Sequence, residues 1–352
     1  MQGTIIGGGS YIKDGEQRFV LTMIDLDGDR KTARLIGTSF LPHAITIDPN
    51  DPTRAAVFEK KGPGACLVDL AAAKNLRPLT SPPERHFYGH GAYSTDGALL
   101  YATESYLDDD HRGALVVRDA KTFDELGTVP TFGAAPHDCM LLPDGHTMVV
   151  TNGGGVLKGG ARPCITYVDL EANKLLEKVE LQAPRFNTGH LAINPRGDLA
   201  VVSAPREGLP GKGPGLGAVS LRPHGAHIST MRKPKKVADR MKGETLSVLI
   251  HEAGFDDGER DSVFATHPEG DMVTVWSMRQ GKLLRKYDQF EQPRGVCLTL
   301  DGAQIVLGHS NGASVALSFL DARTGEPLPD QTIQPSYITG SHIFAHALPT
   351  AA

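Results

Sequence analysis

The sequence predicts an all-β fold, a seven-bladed β-propeller built from four-stranded antiparallel blades. Short apolar segments that alternate in hydrophobicity end in turns, and the chain of 352 residues contains 40 Gly and 24 Pro to form those turns. The segments also fall into units that recur about every 47 to 57 residues. A period of roughly 40–50 residues with four short strands in each unit is typical of propellers.

Four of the units begin with a histidine that leads into the first strand of the unit. Each continues through a second strand (AAVFEK, LLYATE and TMVVTN in the first three) and a third strand that ends in an acidic residue in those three. Two later units lack the leading histidine, and a last strand begins with one again. The leading positions are His43, His90, His137, His190, Ser247, Gly295 and His342.

The two ends of the chain are predicted to complete one blade together. The last unit has only the strand HIFAHAL, whereas the first 42 residues hold three strands, GTIIGG, RFVLTMIDLD and TARLIG. Pairing these four strands would close the ring and leave no free sheet edge. The whole chain, 1–352, is therefore expected to be a single domain.

Three longer connections interrupt the repeat, at residues 153–163, 205–217 and 223–244. The last of them carries Lys233, Lys235 and Lys236. Short basic runs are usually solvated, so we interpret this one as an exposed loop.

Composition excludes several classes of function. The net charge of −5 leaves no basic surface for nucleic acid, and no stretch is long and apolar enough to span a bilayer. The four cysteines form no CxxC pair, and three lie within apolar strand patterns, where a buried thiol is the usual interpretation. No GxSxG motif of α/β-hydrolases occurs.

The recurring histidines predict a metal site. The first strand of each blade lines the central channel, so His43, His90, His137, His190 and His342 should surround one mouth of it. Converging neutral imidazoles are good ligands for iron, copper or zinc, and metal affinity should fall as the pH drops through about 6.5. The alternative is structural, with each histidine bonded to a loop or lining a water-filled channel.

A second tier of polar residues is predicted to surround these histidines, because the second strand of each blade ends on the same face. Positive charge beside them would attract an anion that accompanies the metal. The second-tier residues are Glu59, Glu104, Asn152, His267 and His309, and the candidate anion-binding residues are Arg85, Arg185 and Arg294.

Two segments carry a resemblance to a known family. RHFYGHGAYSTDGALLYATESY, from Arg85, and GAAPHDCMLLPDGHTMVVTNGG, from Gly133, resemble the bacterial domain-of-unknown-function family 1513. Members of that family are typically exported, often with a twin-arginine leader, and tend to be encoded beside imelysin-like and other iron-regulated proteins. The resemblance implies a periplasmic protein that handles iron or copper, with other envelope iron-uptake proteins or a small anionic metal complex as partners.

Three functions stay open at this point. One is metal uptake or trafficking in the periplasm. Nitrous oxide reductase is similar in placing histidines around a copper cluster at the axis of a propeller, which indicates that such a ring can hold metal. Another is a metal-dependent oxidoreductase or lactonase-like hydrolase, with Glu104 or Glu59 as general base. The third is a scaffold for another protein.

The first residues show no signal peptide, so the protein is expected in the periplasm if a leader was removed and in the cytoplasm if the chain is complete.

Overall fold

The fold is almost entirely β. The structure is a computed structural model that describes residues 1–28, 31–107, 110–258 and 260–349. No helix in these ranges is long and apolar enough to cross a membrane. The strands, in chain order, are β1 (Thr4–Lys13), β2 (Glu16–Asp25), β3 (Ala33–Thr38), β4 (Pro42–Asp48), β5 (Asp51–Gly62), β6 (Gly64–Asp69), β7 (Lys74–Thr80), β8 (Arg85–Tyr93), β9 (Leu99–Tyr106), β10 (Arg112–Asp119), β11 (Glu125–Ala134), β12 (Pro136–Leu141), β13 (Thr147–Asn152), β14 (Cys164–Asp169), β15 (Lys174–Glu180), β16 (Leu191–Ile193), β17 (Leu199–Ser203), β18 (Ala218–Arg222), β19 (Ser229–Thr230), β20 (Val248–His251), β21 (Ser262–His267), β22 (Met272–Ser277), β23 (Leu283–Tyr287), β24 (Val296–Leu298), β25 (Gln304–Asn311), β26 (Ser314–Asp321) and β27 (Ile343–His346).

The strands form antiparallel meanders of up to four strands each, as the repeat predicts. Sheets of four strands are β27-β1-β2-β3, β12–β15, β16–β19 and β20–β23, while β24–β26 form a sheet of three. Beside β26, single bridges from Leu317 to Ile333 and from Leu320 to Pro327 stand where a fourth strand was expected. The meanders β4–β7 and β8–β11 share one larger sheet, because the end of β5 pairs Lys60 with Tyr88 of β8.

The prediction that the chain ends pair is confirmed. Strand β27 lies antiparallel to β1, with Ile343 opposite Gly7, and β1 continues through β2 to β3. Glycines allow β1 to approach neighbouring backbone closely: a Cβ on Gly9 would lie 1.8 Å from the carbonyl oxygen of Tyr337, and one on Gly8 2.1 Å from that of Pro42. The GGG run is thus explained by packing in a strand.

Apolar side chains fill the space between successive meanders. One cluster joins Phe58 and Leu67 of the β4–β7 meander to Phe87 and Leu100 of the β8–β11 meander, and all four are at most 3% exposed. Face-to-face packing of this kind aligns neighbouring meanders, so the starts of their first strands come to lie near one another.

The basic run in residues 223–244 differs in part from the predicted solvated loop. Lys235 and Lys236 are exposed, but they begin a four-residue helix, α1 (Lys235–Ala238). Elsewhere in the chain, two 3-10 turns cover Pro268–Gly270 and Pro329–Gln331. Lys233 is partly buried, its Nζ donates to the carbonyl oxygen of Gly217 at 2.5 Å, and burial lowers its pKa to about 8. This lysine therefore holds the connection in place.

Candidate metal centre

Five imidazoles meet in one cluster, and each comes from a different meander. His43, His90 and His137 lie in β4, β8 and β12, and His190 and His342 directly precede β16 and β27. The ring centroids of His190 and His342 are 4.1 Å apart, and those of His43 and His137 are 5.4 Å apart. The structure thus brings together all five histidines of the recurring position; we call them the five-histidine cluster.

The ring nitrogens in the cluster are close enough to share one ion. The Nε2 atom of His43 lies 3.2 Å from the Nε2 atoms of both His137 and His190. One potential ligand atom from each of His43, His90, His190 and His342 lies within 4.8 Å of the others. Two nitrogens bound to one tetrahedral ion at about 2.0–2.1 Å would be about 3.4 Å apart, so small side-chain adjustments suffice for binding.

Two of these nitrogens are buried and make no hydrogen bond within the described part of the chain. They are the Nε2 atoms of His90 and His342. Leaving a buried polar atom without a partner typically costs about 1–3 kcal/mol, and such atoms are rare in native proteins. A metal ion held by the four-histidine group would use both lone pairs, so these residues fit a metal.

Second-sphere hydrogen bonds set the tautomers that metal binding requires. The Nδ1 atom of His90 is 2.8 Å from Oδ1 of Asp138, and Nδ1 of His190 donates to the carbonyl oxygen of Leu246. In each ring the proton on Nδ1 leaves the Nε2 lone pair free to coordinate a metal. The other carboxylate oxygen of Asp138 accepts the backbone N–H of Leu191 at 3.0 Å, which fixes the carboxylate.

Burial favours the neutral, metal-binding form of four of the five imidazoles. Burial lowers the pKa of His43, His137 and His190 well below 6.5, and nearby positive charge adds to the effect. Burial likewise lowers the pKa of His342 to about 3. These directions favour neutral imidazoles at these four positions below pH 6.5, and the pH at which metal affinity falls stays a prediction.

Asp138 is the member of the site that the sequence analysis missed. Although burial alone would raise its pKa, the contact with His90 and the bond from Leu191 lower it, so the side chain is a carboxylate. Its signal was present in the PHD motif, directly after His137. Because neighbouring strand residues point to opposite sides, however, its partner on another meander could not be read from the sequence.

Glu104 and Asn152, of the predicted second tier, lie within the sheets. Glu104 is fully buried and accepts from Arg85 Nε at 3.0 Å and from Arg118 at 2.6 Å. Asn152 donates to Thr166 Oγ1 at 3.0 Å. The structure brings neither side chain to the five-histidine cluster.

The other second-tier residues also have local partners. Glu59 accepts the backbone N–H of Gly64 at 2.8 Å, and His309 lies 2.9 Å from Ser318 Oγ through its Nε2. His267 lies between two threonine hydroxyls, and burial lowers its pKa to about 3. These contacts hold turns and neighbouring strands together.

The three arginines expected to bind an anion lie in different surroundings. Arg85 is buried and forms ion pairs with Glu104 and Glu125. Arg185 lies over the ring of Phe186, with its guanidinium carbon 5.7 Å from the ring centroid. Arg294 has a buried Nε that makes no hydrogen bond among the described residues. Burial lowers the pKa of Lys60, and the charges of Lys61 and Arg294 add to that effect.

Comparison with known families decides where the chain belongs. A family model described as "Protein of unknown function (DUF1513)" matches residues 41–331. The chain belongs to this family. No curated protein matches the sequence.

Two solved structures resemble this DUF1513 protein in fold. A Kuenenia stuttgartiensis hydrazine synthase chain has a TM-score of 0.63 at 14% identity, covering 86% of this chain and 91% of that one. A chain of the Mitotic Checkpoint Complex crystal structure has a TM-score of 0.57 at 12% identity, covering 82% and 75%. At such low identity the likeness concerns the fold alone, and it fits a propeller-like arrangement.

A cleft of about 820 Å³ adjoins the five-histidine cluster in this DUF1513 protein. His137 is the member of the cluster that lines it, so we call it the His137 cleft. It is lined by Lys60, Lys61, His86, Tyr88, Leu107, Asp110, His111, Ala135, His137, Gly153, Gly154, Gly155, Val156, Asn187, Thr188, Ala204, Pro205, Arg206, Glu207, Gly211, Glu244 and Glu269.

Proposed function

We propose that this DUF1513 protein is a single-domain, seven-bladed propeller that binds a transition-metal ion through its axial histidines. Its role would be the uptake or trafficking of iron or copper in the periplasm. The seven meanders correspond to seven blades, and the family resemblance supports the cellular setting. The domain would extend over the whole chain, 1–352.

The observation that carries the proposal is the donor set of the cluster. Among the described residues, the buried Nε2 atoms of His90 and His342 have no hydrogen-bond partner, while Asp138 and the Leu246 carbonyl hold two rings in the metal-binding tautomer. Imidazole nitrogens suit zinc, copper and iron, and the intrinsic order of affinity favours copper over iron(II). A bound ion would supply Lewis acidity or, for iron and copper, a redox centre.

The His137 cleft favours a metal-dependent enzyme as the second candidate. Its volume lies in the range of small-molecule sites, and it meets the cluster at His137. The general-base role first considered for Glu104 or Glu59 fits Glu244 better, since Glu244 lines the cleft and the other two carboxylates accept hydrogen bonds from Arg85 and from the backbone of Gly64. A scaffold without metal is the remaining alternative.

Metal content and calorimetry test the proposal. Protein purified without chelator should contain about one equivalent of metal by elemental analysis, and the metal-free form should bind copper(II) or zinc(II) at pH 7. His90→Ala/His342→Ala should weaken binding by at least 100-fold, since two of four ligands are lost. The control His224→Ala/His227→Ala changes two exposed histidines. Absence of binding by the wild type, or equal affinity in the two double variants, would refute a metal site and favour the scaffold.

A further inference from the structure

We propose that the His137 cleft receives the metal as a complex with a small hydroxypolycarboxylate, and that Lys60 binds one of the carboxylates of that ligand. This inference rests on the proposed metal site and names the form in which the metal is recognised. From the sequence, an anion was expected to bind Arg85, Arg185 and Arg294, whereas here it would bind Lys60.

The size of the cleft favours a complex over a bare ion. An ion with three or four protein ligands needs little more space than the ligand atoms themselves, whereas about 820 Å³ is enough for a small organic molecule. The cleft meets the cluster at His137, whose Nε2 lies 3.2 Å from that of His43. A chelated ion entering here would meet His137 before the other histidines of the cluster.

Lys60 presents hydrogen-bond donors to the cleft. It lies near the end of β5, opposite Tyr88, where the strand reaches the neighbouring meander. Its Nζ lies 3.9 Å from Oε1 of Glu244, the outer limit of an ion pair, and donates no hydrogen bond to any described residue. An ammonium has three donors, so Lys60 can bind a ligand carboxylate without giving up a protein partner.

Charge balance at the cluster also calls for an anion. The imidazoles are neutral ligands, and Asp138 is the carboxylate that contacts one of them. A divalent ion beside Asp138 would keep an excess positive charge of its own, because Lys60 and Lys61 in the cleft lining are offset by Glu244 and Glu269. Buried charge requires compensation, and a ligand carboxylate placed between the ion and Lys60 would supply it.

The remaining cleft residues select a ligand that carries donors as well as carboxylates. Glu244 and Glu269 line the same cleft, and the buried Oε2 of Glu269 accepts no hydrogen bond from any described residue. Arg206 also lines the cleft, but its guanidinium bonds to backbone carbonyls of 155, 156, 161 and 184. A ligand hydroxyl could donate to a carboxylate of this lining such as Glu244, so a metal–hydroxycarboxylate complex fits the mixed lining better than a bare anion or cation.

Calorimetry with three probes tests the inference: copper(II) sulfate, citrate, and their 1:1 complex at pH 7. Lys60→Gln should weaken binding of the copper–citrate complex about tenfold relative to the wild type, the order expected for one charged hydrogen bond. Its affinity for copper alone should stay the same or rise, because a positive charge near the cluster is removed. Free citrate competes for copper equally in the titrations of both proteins, so the ratio of their apparent affinities does not depend on that competition.

Two further variants complete the design. Lys60→Arg keeps the charge and should restore binding of the complex to within about threefold, while Lys74→Gln, on the exposed strand β7, should change nothing. An equal loss for copper and for copper–citrate, no loss for either, or citrate alone binding as tightly as the complex would overturn the inference. Failure of the wild type to bind copper alone would instead refute the metal site on which the inference rests.

Discussion

Replacing Asp138 with asparagine should weaken metal binding although Asp138 is not itself one of the four candidate ligands. The carboxylate accepts two hydrogen bonds, one from His90 Nδ1 at 2.8 Å and one from the N–H of Leu191 at 3.0 Å. An asparagine has one oxygen and one NH₂ group, so it can satisfy only one of these donors. The side-chain shape is unchanged, which isolates the hydrogen bonds.

Either orientation of the new amide is unfavourable. If the oxygen faces His90, the NH₂ group meets the N–H of Leu191, and two donors oppose each other. If the oxygen faces Leu191, the NH₂ group donates to His90 Nδ1, the ring proton moves to Nε2, and that nitrogen can no longer coordinate a metal. Changes of this kind typically cost about 10- to 100-fold in metal affinity, which corresponds to about 1.4–2.7 kcal/mol.

The assay is competition for copper(II) or zinc(II) against a chromophoric chelator at pH 7, with Asp138→Asn beside the wild type. Asp14→Asn is the matched control, because Asp14 is an exposed hairpin residue with a positive φ that asparagine also adopts readily. Circular dichroism melting shows whether the variant is folded. An affinity for Asp138→Asn within twofold of the wild type would show that His90 does not need its orienting carboxylate, and the assignment of His90 as a ligand would then fail.

Three further predictions concern stability. The unfolded chain protonates His342 near pH 6.5 and the folded chain only near 3. The free energy of unfolding of the metal-free protein should therefore fall by up to about 1.4 kcal/mol per pH unit below 6.5 on account of this group. In urea unfolding at pH 7 and pH 5, His342→Leu should lose less stability than the wild type between the two pH values, and an equal loss would contradict the assignment. Glu104→Gln should destabilise the fold by up to about 3–5 kcal/mol, because Arg85 and Arg118 lose the fully buried carboxylate that they share and keep only the partly exposed Glu125. Copper affinity should stay within twofold of the wild type; a large change in affinity would place Glu104 in the site. Gly9→Ala should lower the free energy of unfolding by about 1–3 kcal/mol or more, because the new Cβ would overlap a backbone oxygen. The control Gly37→Ala, with open space around the new Cβ, should melt within about 2 °C of the wild type.

The recurring strand pattern was enough to predict the sheet that the two chain ends share and the meeting of the histidines. Each leading histidine holds the same place in its repeat, so an arrangement that gathers the first strands gathers all five imidazoles. Closure could be inferred because the three strands before His43 match the three that the last unit lacks. Such inferences depend only on strand order and register, which local hydrophobic alternation sets.

The second tier could not be inferred in the same way, because alternation reverses the direction of neighbouring side chains. In YATE the residue before Glu104 is Thr103, and in VVTN the residue before Asn152 is Thr151. The hydroxyl of Thr103 lies 3.1 Å from the carbonyl oxygens of both His90 and His137, and that of Thr151 donates to Gly189 O at 2.7 Å. The threonines thus join the leading strands, and the residues that follow them point to the other side.

The role of Lys60 depended on a strand length that the repeat did not indicate. Strand β5 runs for 12 residues, from Asp51 to Gly62, and its end leaves its own meander to pair with β8. The segment AAVFEK ends at Lys60, and Glu59 was the residue in it that the sequence analysis assigned to the second tier. The extension carries the next residue across to the neighbouring meander and into the cleft beside His137.

Metal binding and closure of the sheet ring should therefore reinforce each other. His342 directly precedes β27, the strand that pairs with β1, while the other three candidate ligands come from meanders formed earlier in the chain. The four imidazoles are close together only when β27 is in place, so an ion that needs all four binds the closed form alone. By mass action, metal at 100 times its dissociation constant would stabilise that form by about 2.7 kcal/mol. The ion would then hold the C-terminal strand against fraying, at the strand pairing whose hydrogen bonds extend over only Thr4 to Gly7 of β1.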